Sequence, residues 1–196
     1  MEDKELVYKV LKGDKNAFTT VIKKTEGLVA QIVFKLVDSP EERKDMAQEI
    51  YLKVYKSLPE FRFQSKLSTW IGQIAYNTCY HSLKHKRPMQ SLSVELGNDS
   101  DDDWPQRNID KLLSDSTNET ETLIFKTELS QMIQIALSQL SPIYQTLITL
   151  YHYEELSYEE IAQITQLPIG TVKNYLFRAR KALKDNLLTH YTKDDL

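Results

Sequence analysis

Ser157-Tyr-Glu-Glu-Ile-Ala-Gln-Ile-Thr-Gln-Leu-Pro-Ile-Gly-Thr-Val-Lys-Asn-Tyr-Leu-Phe-Arg-Ala-Arg-Lys-Ala-Leu183 reads as a short helix, a tight break and a longer helix with two chemically opposite sides. At about 100° per residue, Val172, Leu176, Ala179 and Leu183 fall on one stripe. Gly170, Lys173, Asn174, Phe177, Arg178 and Lys181 fall on the other. Upstream, Ser157 and Glu160 have the spacing of a capping box, and Ile161, Ala162 and Ile164 give the first helix its apolar side. Pro168 suits the first turn of the second helix. A helix-turn-helix sets its second helix in the major groove, where cations meet phosphates and amides or guanidinium groups meet base edges. Lys173, Asn174 and Arg178 meet that requirement. An ordinary helical hairpin with a solvated basic face is the alternative.

Working outward, 196 residues suffice for two small domains. Five glycines and few alternating apolar runs point to an almost wholly helical, all-α protein. No apolar run approaches a membrane span, and Met1-Glu-Asp-Lys4 is no signal sequence, so cytoplasmic location without membrane insertion is expected. The single cysteine, Cys79, excludes an internal disulfide and fits a reducing compartment. A net charge of −3 looks wrong for DNA binding until it is located. Between Glu95 and Glu121, nine carboxylates oppose only Arg107 and Lys111, leaving −7 there and +4 on the remainder. Two mildly basic lobes joined by an acidic connector result.

Periodicity places helices at about Asp3–Lys12, Asn16–Val37, Pro40–Ser57 and Leu67–Lys86, then from Glu121 through Lys126–Gln139, Pro142–Tyr151, Tyr158–Thr165 and Ile169–Leu188. The expected organisation is a four-helix lobe over 1–88, a flexible acidic linker over 89–120 and a helix-turn-helix lobe over 121–196. Such a linker, at about 3.3 Å per residue, would let the lobes sit on DNA sites about 70 Å apart. It could instead occupy a basic groove or serve as a plain spacer.

Two further surfaces carry chemistry. On the helix from Leu67, one side is Leu67, Ile71, Ile74, Ala75 and Thr78, and the opposite side is Thr69, Gln73, Tyr76, Tyr80, Lys84 and Arg87. Two tyrosines among amides and cations, beside the loop Phe61-Arg-Phe-Gln-Ser-Lys66, suggest a stacking platform for unpaired bases, each stack worth about 1–3 kcal/mol. Packing of Tyr76 and Tyr80 against the first helices is the competing reading. On the helix from Pro40, Ala47, Ile50, Val54 and Leu58 form the inner stripe and Asp45, Gln48, Glu49, Leu52 and Lys56 the outer. An outward leucine among carboxylates fits a basic partner helix, although a merely solvated acidic face has the same composition. Cys79 and His81 stand about 200° apart on their helix, so no metal site is expected, and no cofactor or catalytic motif is seen.

The blocks Asp45-Met-Ala-Gln-Glu-Ile-Tyr-Leu-Lys-Val-Tyr, Phe61-Arg-Phe-Gln-Ser-Lys-Leu-Ser-Thr-Trp-Ile and Ile74-Ala-Tyr-Asn77 closely resemble region 2 of bacterial extracytoplasmic-function (ECF) sigma factors, of the sigma-70 family. Leu140-Ser-Pro, Leu156-Ser-Tyr-Glu-Glu-Ile-Ala and Leu167-Pro-Ile-Gly-Thr-Val-Lys resemble their region 4. The resemblance implies a non-enzymatic protein that binds core RNA polymerase through its β′ clamp and β subunits, recognises promoter DNA and promotes melting. Asp45, Gln48, Glu49 and Leu52 would then dock on the β′ clamp. Phe61, Phe63, Gln64, Ser65, Lys66, Trp70, Gln73, Tyr76, Asn77 and Tyr80 would capture flipped bases of the −10 element, with Lys84, Lys86 and Arg87 on phosphates. Gly170, Thr171, Lys173, Asn174, Phe177, Arg178 and Lys181 would meet the −35 element as duplex. An anti-sigma partner is also implied. Many members have Gly-Asp-Ser where this chain has Phe63-Gln64-Ser65, which leaves the captured base open.

Two other functions are compatible with parts of the chain. An autonomous helix-turn-helix regulator would use only the C-terminal lobe and bind duplex DNA without polymerase. A nuclease would need clustered metal-binding carboxylates, which occur only in the linker.

Overall fold

The computed structural model describes residues 3–86 and 132–190, with side chains at 3–84 and 132–188. The linker, the helix start near Glu121 and Arg87 lie outside these residues. The described elements are helices α1 (Asp3–Leu11), α2 (Lys15–Leu36), α3 (Pro40–Ser57), α4 (Leu67–Lys86), α5 (132–138), α6 (Pro142–Ile148), α7 (Tyr158–Thr165) and α8 (Ile169–His190). A 3-10 turn at Leu58–Glu60 follows α3, and a π turn at Thr149–Tyr153 replaces the expected last turn of α6.

Local chemistry explains the boundaries. Gly13 adopts φ +89° after α1, which an L side chain disfavours, and lets Asp14 cap α2 by accepting from Asn16 and Ala17. Ser39 caps α3, whose first residue is Pro40. Ser157 and Glu160 form a complete capping box on α7. Gln166 ends α7 in the left-handed region at φ 57° and aims the chain into α8. The carbonyl of Pro168 accepts the Val172 amide at 3.0 Å, so this proline sits just outside α8 rather than in its first turn.

The N-terminal helices pack as expected, with Val21, Ile32, Ile50, Val54 and Ile71 removed from solvent. The two halves also pack against each other. α4 packs on α2, α3 and α7, α2 meets α6, and a single hydrophobic core runs through both halves.

That packing corrects the solvent-facing assignment of the outer stripe of α4. Thr69 and Tyr76 are buried, and Tyr80 is half-buried. Each phenol has a large apolar ring that packs well once its hydroxyl is accommodated, so a stripe that looks polar by residue type can still be covered. Helix α7 of the C-terminal half joins α2 and α3 in packing against α4.

Candidate nucleic-acid interface

α8 is sorted by burial as its sequence requires. Val172, Leu176 and Ala179 are fully enclosed, while Gly170, Lys173, Phe177 and Lys181 are exposed and Thr171, Asn174 and Arg178 are half-exposed. The helix is steadied from behind by aromatic rings. Tyr151 and Tyr158 stack 5.0 Å apart, the Arg180 guanidinium lies 4.8 Å over Tyr151, and the Lys173 ammonium lies 5.7 Å from the Tyr158 ring. Arg180 Nε donates to His152 Nε2 at 3.2 Å. His152 is exposed by surface area, and only partial desolvation by its neighbours, followed by the Arg180 charge, holds its imidazole below the usual pKa. This cluster escaped sequence reading because the π turn, not an α-helical period, sets Tyr151 and His152 against α7 and α8.

The loop before α4 is held from beneath by α1. Phe63 takes the left-handed conformation, φ 58°, which a bulky side chain tolerates only when packing holds it. Its ring meets Phe61 at 4.8 Å and Tyr8 at 6.2 Å, and the Lys4 ammonium lies 5.9 Å away. Phe61 packs in turn on Trp70 at 5.0 Å. Phe61 is buried, so its ring supports the loop instead of offering a face to a base. Arg62, Gln64 and Lys66 project outward, with Ser65 half-exposed.

Along α4, Trp70, Gln73, Asn77 and Tyr80 are half-buried and Lys84 is exposed. Tyr76 stacks on Tyr80 at 5.7 Å and 13°. Burial pushes the Tyr76 hydroxyl well above the usual tyrosine range, with smaller contributions from Tyr80 and from Tyr175 on α8. Lys66 meets Glu160 of the α7 capping box at 2.8 Å. The Lys66 contact and the Ser157 backbone together hold the Glu160 carboxyl below its usual range.

The outer stripe of α3 is free of these contacts. Asp45, Gln48, Glu49, Leu52 and Lys56 are all exposed, Leu52 at 60 %. Glu49 pairs with Lys53 at 2.7 Å, a solvent-exposed bridge of little energetic weight. Cys79 is enclosed and its thiol is pushed up to about 12, which leaves it unreactive. Among the described residues, no helix is long and apolar enough to cross a membrane.

Comparisons with known proteins match both halves of the chain. Residues 21–88 match the model for Sigma-70 region 2, and residues 130–183 match that for Sigma-70 region 4. The chain is 32 % identical over 185 residues to the RNA polymerase sigma-H factor of Pseudomonas aeruginosa, covering 93 % of this chain and 92 % of that one. It is 31 % identical to the ECF RNA polymerase sigma factor SigW of Bacillus subtilis, covering 94 % and 96 % respectively. With the ECF RNA polymerase sigma-E factor of Escherichia coli it shares 33 % identity and 95 % of each chain. The fold is also that of CnrH, solved with the cytosolic domain of CnrY, at TM-score 0.65 and 17 % identity over 96 % of this chain and 99 % of that one. The sigma factor RpoE of Bartonella quintana, solved with the anti-sigma factor NepR, superposes at TM-score 0.59 and 22 % identity over 87 % and 96 %.

Proposed function

This chain belongs to the ECF family of RNA polymerase sigma factors, and from that premise we propose how its surfaces divide the work of promoter recognition. It is a sigma factor that binds core RNA polymerase, recognises the −35 and −10 elements and promotes melting. The Asp45–Leu52 stripe docks on the β′ clamp. The outer face of α8, through Lys173, Asn174, Phe177, Arg178 and Lys181, reads the −35 duplex. Its amide and guanidinium suit adenine and guanine edges, and its ammonium groups suit phosphates. Gln64, Ser65, Lys66, Trp70, Gln73, Tyr76, Asn77 and Tyr80 take the unpaired −10 strand, with Lys84 and Arg87 on its phosphates.

The protein supplies affinity and position, not catalysis, and works in the cytoplasm. An anti-sigma protein is its expected regulator, since the similar RpoE was solved with one. The observation that carries the reading is α8 itself, which buries Val172, Leu176 and Ala179 while presenting Lys173, Phe177 and Lys181 to solvent from a capped helix-turn-helix. Transcription of a genomic library by core polymerase with and without this protein tests it. New start sites sharing −35 and −10 elements are expected. Tight duplex binding without core polymerase, and no new starts with it, would favour the autonomous regulator instead.

A further inference from the structure

α1 precedes the residues that match region 2, yet it presents aromatic surface beside the −10 loop. Lys4, Tyr8 and Leu11 follow at spacings of four and three residues along one flank, and all three are exposed, Tyr8 at 58 %. The inner side of the same helix, Leu6, Val7 and Val10, is buried in the core. The Tyr8 ring lies 6.2 Å from the Phe63 ring at 36°, and the Lys4 ammonium lies 5.9 Å from that same Phe63 ring. The carboxylates on this end of α1 are engaged elsewhere. Asp3 accepts the Leu67 amide, and Glu5 pairs with Lys9 at 2.8 Å.

Burial repays little of what Phe63 spends in holding φ 58°. Its side chain stays half-exposed, whereas its neighbour Phe61 is enclosed and already closes the core here. A strained, bulky residue that keeps its ring at the surface beside a second exposed ring and a cation points to a ligand clamp. We propose that Tyr8 and Phe63 form a further stacking face for an unpaired base of the melted promoter strand, with Lys4 on the adjoining phosphate. The proposal rests on the −10 reading of the loop and extends it to α1. The two rings are tilted against each other, so the base lies over the exposed face of Tyr8 rather than between them. Every base has a flat face, so the slot adds affinity rather than base discrimination.

The probe is the single-stranded non-template −10 segment of a promoter that the holoenzyme transcribes, titrated with preassembled holoenzyme. Tyr8→Ala should weaken binding by about ten-fold, the order of one lost base stack. Tyr8→Phe should bind as the parent does. Lys4→Gln should lower the slope of log affinity against log salt by about 0.7, as the loss of one phosphate contact to a single strand requires. Abasic sites placed one at a time along the probe locate the base. One position should cost the parent about ten-fold and cost Tyr8→Ala nothing.

Tyr8 also props the Phe63 ring, and Tyr8→Leu separates support from stacking, because leucine fills the space without offering a flat face. It should lose as much affinity as Tyr8→Ala. Parental binding in Tyr8→Leu would show that Tyr8 only supports the loop and would overturn the proposal. An abasic penalty that persists in Tyr8→Ala would overturn it as well. Asn77→Ala, on α4, reports on the −10 assignment independently. If it weakens strand binding while Tyr8→Ala does not, the slot on α1 falls and the assignment stands. If neither variant weakens it, the assignment falls and the slot falls with it.

Discussion

The Asp3 carboxylate accepts the Leu67 amide at 3.2 Å across 64 residues of sequence, so the first residue of α1 caps the first residue of α4. α1 precedes residues 21–88, which carry the region 2 match, yet it supports the loop and helix that those residues supply.

Asp3→Ala removes this cap and should cost about 1 kcal/mol of stability, with Asp3→Asn losing less because its amide oxygen still accepts. Thermal unfolding of the three proteins measures it. Equal midpoints would mean that Leu67 finds another acceptor.

Phe63 stands at φ 58° with its ring on Phe61 and Tyr8. Phe63→Gly and Phe63→Ala both lose the ring, but only alanine keeps the strained backbone. Glycine should therefore be the milder change by about 1 kcal/mol in urea unfolding. Alanine equal to or better than glycine would show that the loop relaxes when the ring is gone.

Leu52 and Asp45 are exposed on α3, so Leu52→Glu and Asp45→Arg should change stability by no more than about 0.5 kcal/mol. Each should weaken binding to core polymerase, which titration of labelled protein would report. Parental affinity in both would remove this stripe from the docking surface.

Arg178→Ala and Asn174→Ala should each lose about 1–3 kcal/mol of base discrimination in the −35 element. Lys181→Ala should weaken all sequences alike, as a phosphate contact does. Selection from randomised upstream elements separates the two behaviours.

His152 accepts from Arg180, which requires an unprotonated Nε2, and its pKa lies below the usual value of 6.5. A depressed folded-state pKa means that the unfolded chain takes up its proton first. Stability from this residue is therefore complete above about pH 6.5 and falls as pH drops through the folded value. His152→Asn should flatten the loss of thermal stability between pH 7 and pH 5. An unchanged slope would assign that loss to other groups.

Much of this molecule is local and so was legible in the chain. The boundaries of α3 and α7 match those read from periodicity, because Ser39, Pro40 and the Ser157–Glu160 box act within a few residues of themselves. The inner and outer faces of α3 and α8 are likewise sorted by a 3.6-residue period that one apolar stripe suffices to reveal. The fold class follows from that periodicity and from the motifs it carries.

Tertiary structure decided what lies between the helices. The cap from Asp3 to Leu67, the left-handed Phe63 over Tyr8 and the pairing of Lys66 with Glu160 each join positions far apart in sequence. α4 shows why periodicity cannot find them. A stripe of threonine, glutamine and tyrosine is read as solvent-facing when its helix is considered alone, yet Tyr76 is enclosed in the folded chain, where Ile164 of α7 meets α4 at Gly72. Sequence determines which faces a helix has, because the backbone repeats. Which partner covers a face of mixed polarity depends on shape and on the free energy of packing two surfaces together, and those exist only in three dimensions.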